Sequence, residues 1–320
     1  MSANLPDCVV LGSGTMGAQI ALSLALGGAK VSLWGRRPET LAPAIGRCAE
    51  GLDFLVGNGL ADNSDRQNIL SRIQGEPDLQ QAVRDKGFII EAVAEDIEVK
   101  QQLLLRAERD CSADVVLSST TSALSASAIQ SALNNPEQFC IAHYAQPAHL
   151  VKLVEVVPGE KSAGSAIEFI TDLLNSTGKT PVLCPDIPGF LWARIQHAVL
   201  REFASLVGKG LVTAEACDTI LKQGYAARLP AMGAFEHADL AGLDLLNGDA
   251  AKAVWADLSN VNDPAETPVG KLFSEGHTGM KSGSGFYDWN KRDPEEFKRN
   301  RDEEIVRRVK IQAGARVELD

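Results

Sequence analysis

Three groups of residues have types and spacings that could do chemistry. Gly12, Gly14 and Gly17 fit the pattern G-x-G-x-x-G, in which the first glycine makes a tight turn, the second admits a pyrophosphate and the third lets a helix pack on a strand. Thr15 and Met16 lie inside this turn, and the helix that follows would face the phosphates with unpaired N–H groups. Gly35-Arg36-Arg37 stands where a dinucleotide domain chooses its cofactor. An acidic residue there would bond the adenosine ribose, whereas two arginines can clamp a 2′-phosphate and stack on adenine. This favours NADP(H) over NAD(H). Ser122 and His143 make the third group, both near the ends of apolar runs.

These residues need elements to position them. Val9-Val10-Leu11 reads as a strand feeding the glycine turn and a helix, followed by strands over 30–34, 88–93, 114–117, 139–143, 152–157 and 178–184. Residues 95–109 read as an amphipathic helix. Residues 39–85 read as a helical hairpin inserted in the nucleotide domain, with turns near 57–59 and 75–77. Such alternation predicts an α/β fold, a Rossmann-type doubly wound and mostly parallel sheet whose ligands bind beyond the carboxyl ends of the strands. Ser122 and His143 fall at such ends. After Asp186-Ile187-Pro188-Gly189 the pattern turns helical to about residue 273. The expected division is a dinucleotide-binding domain over 1–186, an all-helical substrate and dimerisation domain over 187–290, and a charged C-terminal helix over 291–320.

Bulk properties exclude other classes. The 320 residues are 45% hydrophobic, enough for two packed domains, and the formal charge of −11 gives no general attraction for nucleic acid or anionic membranes. The six cysteines are scattered, with neither C-x-x-C nor a His-Cys cluster, so they read as small buried hydrophobes in a reducing compartment and no metal is expected. With no spanning stretch and no basic n-region, the expected location is cytoplasmic.

The motifs together resemble the 3-hydroxyacyl-CoA dehydrogenase family. They are Gly-Ser-Gly-Thr-Met-Gly at 12–17, Glu-Ala-Val-Ala-Glu at 91–95, Thr-Thr-Ser at 120–122, His143 with Pro147, and Lys-Leu-Val-Glu-Val at 152–156. Pro-Gly-Phe at 188–190, Gly-Ala-Phe-Glu with Gly-Leu-Asp at 233–244, and Lys-Ser-Gly-Ser-Gly-Phe-Tyr-Asp-Trp at 281–289 extend the match. The resemblance implies an NAD(P)-dependent enzyme, usually a homodimer through its helical domain. By the same resemblance His143 is the base, Glu155 holds and polarises its imidazole, and Ser122 binds the substrate oxygen. It also places Glu95, Lys100 and Thr120 at the cofactor and Gln146 at the substrate. Histidine titrates in the range that oxidation of an alcohol needs. The chain departs from the family at Ala193, where an asparagine is usual, and at Thr120 and Gln146. Gln146, His149, Gln196 or His197 are candidates to replace the missing side-chain amide.

The substrate can be narrowed. Between Leu41 and Asp65 the only basic residue is Arg47, against Glu50, Asp53, Asp62 and Asp65, whereas relatives that use acyl-CoA carry a lysine-rich hairpin there. Arg228 resembles an arginine of the lambda-crystallin and gulonate dehydrogenase branch, and a guanidinium can bind a free carboxylate through two parallel hydrogen bonds. Pro-Ala-His at 147–149 also resembles branches acting on small carboxylates, including a pyridine-carboxylate dehydrogenase. The expected substrate is a small 3-hydroxy acid or similar carboxylate-bearing alcohol. A 3-hydroxyacyl-CoA dehydrogenase and a nucleotide-binding homologue without turnover remain open alternatives.

Overall fold

Runs such as Cys8-Val9-Val10-Leu11 have no polar face, so a strand made of them must be buried on both sides. The computed structural model describes residues 5–312, and eight strands form one sheet in the order β3-β2-β1-β4-β5-β6-β7-β8. They are β1 (Cys8–Leu11), β2 (Val31–Trp34), β3 (Ile73–Glu76), β4 (Phe88–Glu91), β5 (Val116–Ser119), β6 (Phe139–Tyr144), β7 (Leu153–Pro158) and β8 (Thr180–Leu183). All neighbours run parallel except β6 and β7. Strand order reverses between β1 and β4, the position at which open α/β sheets bind ligands.

The period of two sorts the side chains. Cys8, Val10, Phe88, Ile90, Cys140 and Ala142 pack in a core on one face, with the helices α1 (Thr15–Leu26) and α2 (Leu41–Gly57). Val9, Leu11, Ile89, Leu117 and Ile141 pack in a second core on the other face, with the helix Ile97–Asp110. Glu91, Ser119, His143 and Glu155 fall at positions of the second register, and all four are buried.

Two expectations are corrected. Residues 39–85 are not a purely helical insertion, because Ile73–Glu76 is the edge strand β3, paired parallel with β2. Of its residues only Ile73 is buried, and the glycine and proline around it resemble a turn. The strand expected over 114–117 lies at Val116–Ser119, since Ser118 and Ser119 are buried within the sheet rather than outside it.

By contacts the chain forms two units, residues up to Arg194 together with those from Ile305 on, and Ile195–Glu304. The first therefore runs past the expected boundary at 186 and takes in the end of the C-terminal helix Pro294–Gln312, whose buried Val306 packs with Leu55 and Leu150. Residues 313–320 of the expected charged segment lie outside the described residues. The second unit is helical, with helices at Ala214–Ile220, Ala234–Ala241, Asp249–Asp257 and Pro268–Ser274. Within it the Tyr287 hydroxyl donates to Asp218 over 2.7 Å, and Glu202 accepts the amide of Ser259, also at 2.7 Å. Among the described residues no helix is long and apolar enough to cross a membrane. All six cysteines are free thiols.

Candidate active site

The glycine turn follows β1 directly. Gly12 has φ +139°, a backbone that L side chains rarely adopt, and a Cβ there would collide with the carbonyl of Ala92 beyond β4. A Cβ on Gly17 would overlap the carbonyl oxygen of Gly12, while one on Gly14 would meet open space. This combination of two packed glycines and one open one suits a pyrophosphate, so the residues fit a dinucleotide. Thr15 and Met16 begin α1, Thr15 exposed and Met16 half-buried.

Gly35 follows β2. A Cβ on it would stand 2.8 Å from the Ser13 hydroxyl and 2.9 Å from that of Thr40, two groups that bond each other over 2.6 Å. Arg36 and Arg37 are exposed beside this point, Arg37 in a loose 3.8 Å pair with Glu39. Arg47 reaches the same turn from α2, donating to the Ser13 carbonyl over 2.6 Å. The basic residue of the otherwise acidic stretch is thus committed to the nucleotide turn. Arg66, just beyond that stretch, grips Asp53 with two hydrogen bonds of 2.5 and 3.0 Å.

At the ends of β4 and β5 lies a buried ionic cluster. Glu91 is 0% exposed and accepts from the Ser119 hydroxyl at 2.6 Å, the Val93 amide at 2.5 Å and the Lys100 ammonium at 2.9 and 3.0 Å. Lys100, expected at the cofactor, is 1% exposed and also pairs with Glu95 at 3.3 Å. Glu95 in turn is exposed and accepts from the Thr121 hydroxyl at 2.5 Å and the Ser122 amide at 3.0 Å. Burial would raise the Glu95 carboxyl, but Thr121, Lys100 and Ser122 outweigh it and hold it below its usual range. The Thr120 hydroxyl accepts the Tyr144 amide at 3.3 Å, tying the end of β5 to β6. Glu91 belongs to the motif at 91–95, which by itself gives it no role. Its signal was a carboxylate ending an apolar strand, where a charge must find a partner.

His143 and Glu155 are directly opposite in the antiparallel pair β6–β7. Both are buried, and the His143 Nδ1 to Glu155 Oε2 distance is 2.7 Å. With Nδ1–H given to the carboxylate, Nε2 is the nitrogen left to accept a proton. The other oxygen, Oε1, accepts the backbone amides of Leu191 and Trp192, each at 2.8 Å, and the Cys184 thiol at 3.5 Å. Burial pushes the Glu155 carboxyl up, but the bonds from His143, Trp192 and Leu191 outweigh it and keep it below the usual carboxylate range. The dyad therefore carries an ionised carboxylate at neutral pH. Phe190, fully buried, places its ring 5.8 Å from the imidazole between centroids.

Ser122 is exposed, its hydroxyl 3.5 Å from Glu95, and Gln146 is exposed just after β6. Arg228 belongs to the helical unit, where its guanidinium lies 3.2 Å from the Nε2 of His237. Among the described residues no group of three or more His, Cys, Asp or Glu side chains could hold a metal.

Residues 7–187 match the model of the 3-hydroxyacyl-CoA dehydrogenase NAD binding domain, and residues 189–289 that of the 3-hydroxyacyl-CoA dehydrogenase C-terminal domain. The 5-formyl-3-hydroxy-2-methylpyridine 4-carboxylate 5-dehydrogenase of Mesorhizobium japonicum is 30% identical over 282 residues, 88% of this chain and 90% of that protein. A crystal structure of such a dehydrogenase, described as an NAD+ dependent dismutase, superposes with a TM-score of 0.89 at 28% identity, covering 98% of this chain and 100% of the other. The 3-hydroxyadipyl-CoA dehydrogenase of Escherichia coli is 32% identical over 90% of this chain, which spans 60% of that larger protein. With both domain models matched along most of its length, this chain belongs to the 3-hydroxyacyl-CoA dehydrogenase family of NAD-binding oxidoreductases.

Proposed function

We propose that the protein interconverts a secondary alcohol and its carbonyl on a small carboxylate-bearing molecule, a 3-hydroxy acid or a close analogue, with NADP(H) as the preferred cofactor. The observation that carries the chemistry is the buried His143–Glu155 pair at 2.7 Å. A dinucleotide held at the glycine turn would supply the hydride chemistry through its nicotinamide. His143, oriented through Nδ1, holds at Nε2 the proton that leaves or returns to the substrate oxygen, and the Ser122 hydroxyl donates to that oxygen. Glu95 fixes the backbone of Ser122 and so aims its hydroxyl.

Three observations support the small acid. The stretch that would meet coenzyme A phosphates is acidic, its Arg47 is held by the glycine turn and its neighbour Arg66 is neutralised by Asp53. The Mesorhizobium relative, which matches over nearly its whole length, is named for a pyridine carboxylate. Arg228 supplies a guanidinium suited to a carboxylate. For the cofactor, Gly35 offers no acidic side chain to the adenosine ribose, a Cβ there would crowd the Ser13 and Thr40 hydroxyls, and Arg36 and Arg37 are exposed beside it.

The test is one matrix of substrates and cofactors. Turnover of free hydroxy acids with NADP+ in preference to NAD+, with that preference reduced about 10-fold or more in Arg36→Ala, is the expected result. Efficient turnover of 3-hydroxybutyryl-CoA with none of the free acids would establish the second reading, a 3-hydroxyacyl-CoA dehydrogenase, which the E. coli relative's name favours. Cofactor binding with no turnover of any alcohol would leave the third, an inactive homologue, to which Ala193 points.

The proposed assembly is a homodimer through the helical unit. That unit exposes Phe235 (89%), Trp255 (78%), Leu240 and Phe273, more large apolar surface than a monomer ordinarily leaves in water. Light scattering should return twice the mass of the chain, and a monomer at micromolar concentration would reject the proposal.

A further inference from the structure

We propose that the turn Pro188-Gly189-Phe190 and the two amides after it are a positioning device for the His143–Glu155 pair, and that the Leu191 and Trp192 N–H groups fix the carboxylate against which the imidazole is set. The inference rests on the reading of His143 as the proton-carrying group and extends it to the backbone.

The geometry is specific. Gly189 and Phe190 are consecutive left-handed residues, at φ +75° and φ +47°. Glycine adopts that region freely, whereas a bulky residue does so only when its surroundings impose it. Phe190 is held there by complete burial among the residues of the second core, with its ring against His143. The result of the reversal is that the next two amides, at the start of the helix Trp192–Gly208, both point at Glu155 Oε1.

The turn is also fastened at its other end. Asp186 accepts from the Ser125 hydroxyl at 2.8 Å and from the Ala126 and Ser127 amides, each at 2.9 Å, at the start of the helix Ala126–Gln130. The stretch 186–192 is therefore fixed by two carboxylates, one of its own and one supplied by β7. Neither can shift without losing amide bonds. A carboxylate held on one oxygen by two fixed donors has only the other to offer, and this sets the plane in which the imidazole N–H must lie.

Two variants of one residue isolate the amide. Trp192→Ala keeps the N–H and removes the indole, while Trp192→Pro removes both at the first helical position, which tolerates proline. Expected for Trp192→Pro, relative to Trp192→Ala, is a kcat lower by about 10- to 100-fold with KM within about 2-fold. The downfield proton resonance of His143 Nδ1–H, sharp in wild type and Trp192→Ala, should broaden by exchange in Trp192→Pro. Equal kcat and equal resonances in the two variants would overturn the proposal.

Hydrogen exchange on wild type gives a check that needs neither a folded proline variant nor turnover. The Leu191 and Trp192 amides should be protected relative to the rest of the turn, and protection should be lost in Glu155→Ala. Exchange of both at the rate of an open turn would overturn the proposal. Activity that survives His143→Gln would instead sink the assigned chemistry, with the resonance and exchange results still standing on their own.

Discussion

Replacing His143 by glutamine is expected to lower kcat by about 10²- to 10⁴-fold, equivalent to about 3–5 kcal/mol in the barrier, while leaving dinucleotide affinity close to wild type. The glycine turn is built by β1 and α1 and does not depend on the imidazole, so binding and chemistry separate in this variant. The same geometry makes a sharper statement about Glu155→Gln. Oε1 is held by the amides of Leu191 and Trp192, which only an acceptor can satisfy. A glutamine must therefore put its carbonyl there and turn its NH₂ toward His143. The imidazole then accepts at Nδ1 and carries its proton on Nε2, the nitrogen that should receive one. Glu155→Gln is expected to be nearly as damaging as the loss of His143, as happens when a catalytic histidine is forced into the wrong tautomer. Steady-state kinetics with a competent substrate, together with cofactor titration, check both. A kcat within about 3-fold of wild type in either variant would remove the dyad from the chemistry.

Lys100→Met is expected to destabilise the nucleotide unit by about 3–5 kcal/mol, because it leaves the fully buried Glu91 without its cation. At the scaling of a domain of this size the melting temperature falls by roughly 6–20 °C. Ser119 and the Val93 amide still donate to Glu91 in this variant, but neither carries a charge. Adding Glu91→Gln should restore part of the loss, since it removes the unpaired buried charge and keeps an acceptor for Ser119 and Val93. Thermal unfolding of the single and double variants checks this. A single variant within about 1 kcal/mol of wild type would mean that the cluster contributes little to folding.

Much of this could be read from the chain, for reasons that differ by residue. The glycine turn was legible because backbone conformation at Gly12 and close packing at Gly17 admit no other residue. His143 stood out by its place at the end of a strand, but its role and its partner Glu155 could be proposed only through family resemblance, since a histidine in a strand carries no mark of its partner. That they are directly opposite follows from the antiparallel register of β6 and β7, which no local pattern reveals. The edge strand β3 was hidden because one buried isoleucine beside a glycine does not make a periodic signal. Ser119 lay outside the strand expected over 114–117, yet its hydroxyl is buried against Glu91. The left-handed Phe190 and the amides behind it were invisible, because backbone donors are common to all residues and only the path of the chain aims them.

The return of the last helix to the first unit has a consequence for the order of biosynthesis. Val306 closes a small core with Leu55 and Leu150, so these two side chains emerge from the ribosome long before the residue that covers them. The nucleotide unit can form its sheet early, but this patch stays open until residue 306 has been synthesised. A nascent chain stalled in the helical unit would present it to solvent, where chaperones recognise exposed apolar surface. Proteins truncated before residue 305 would keep it bare for as long as they exist.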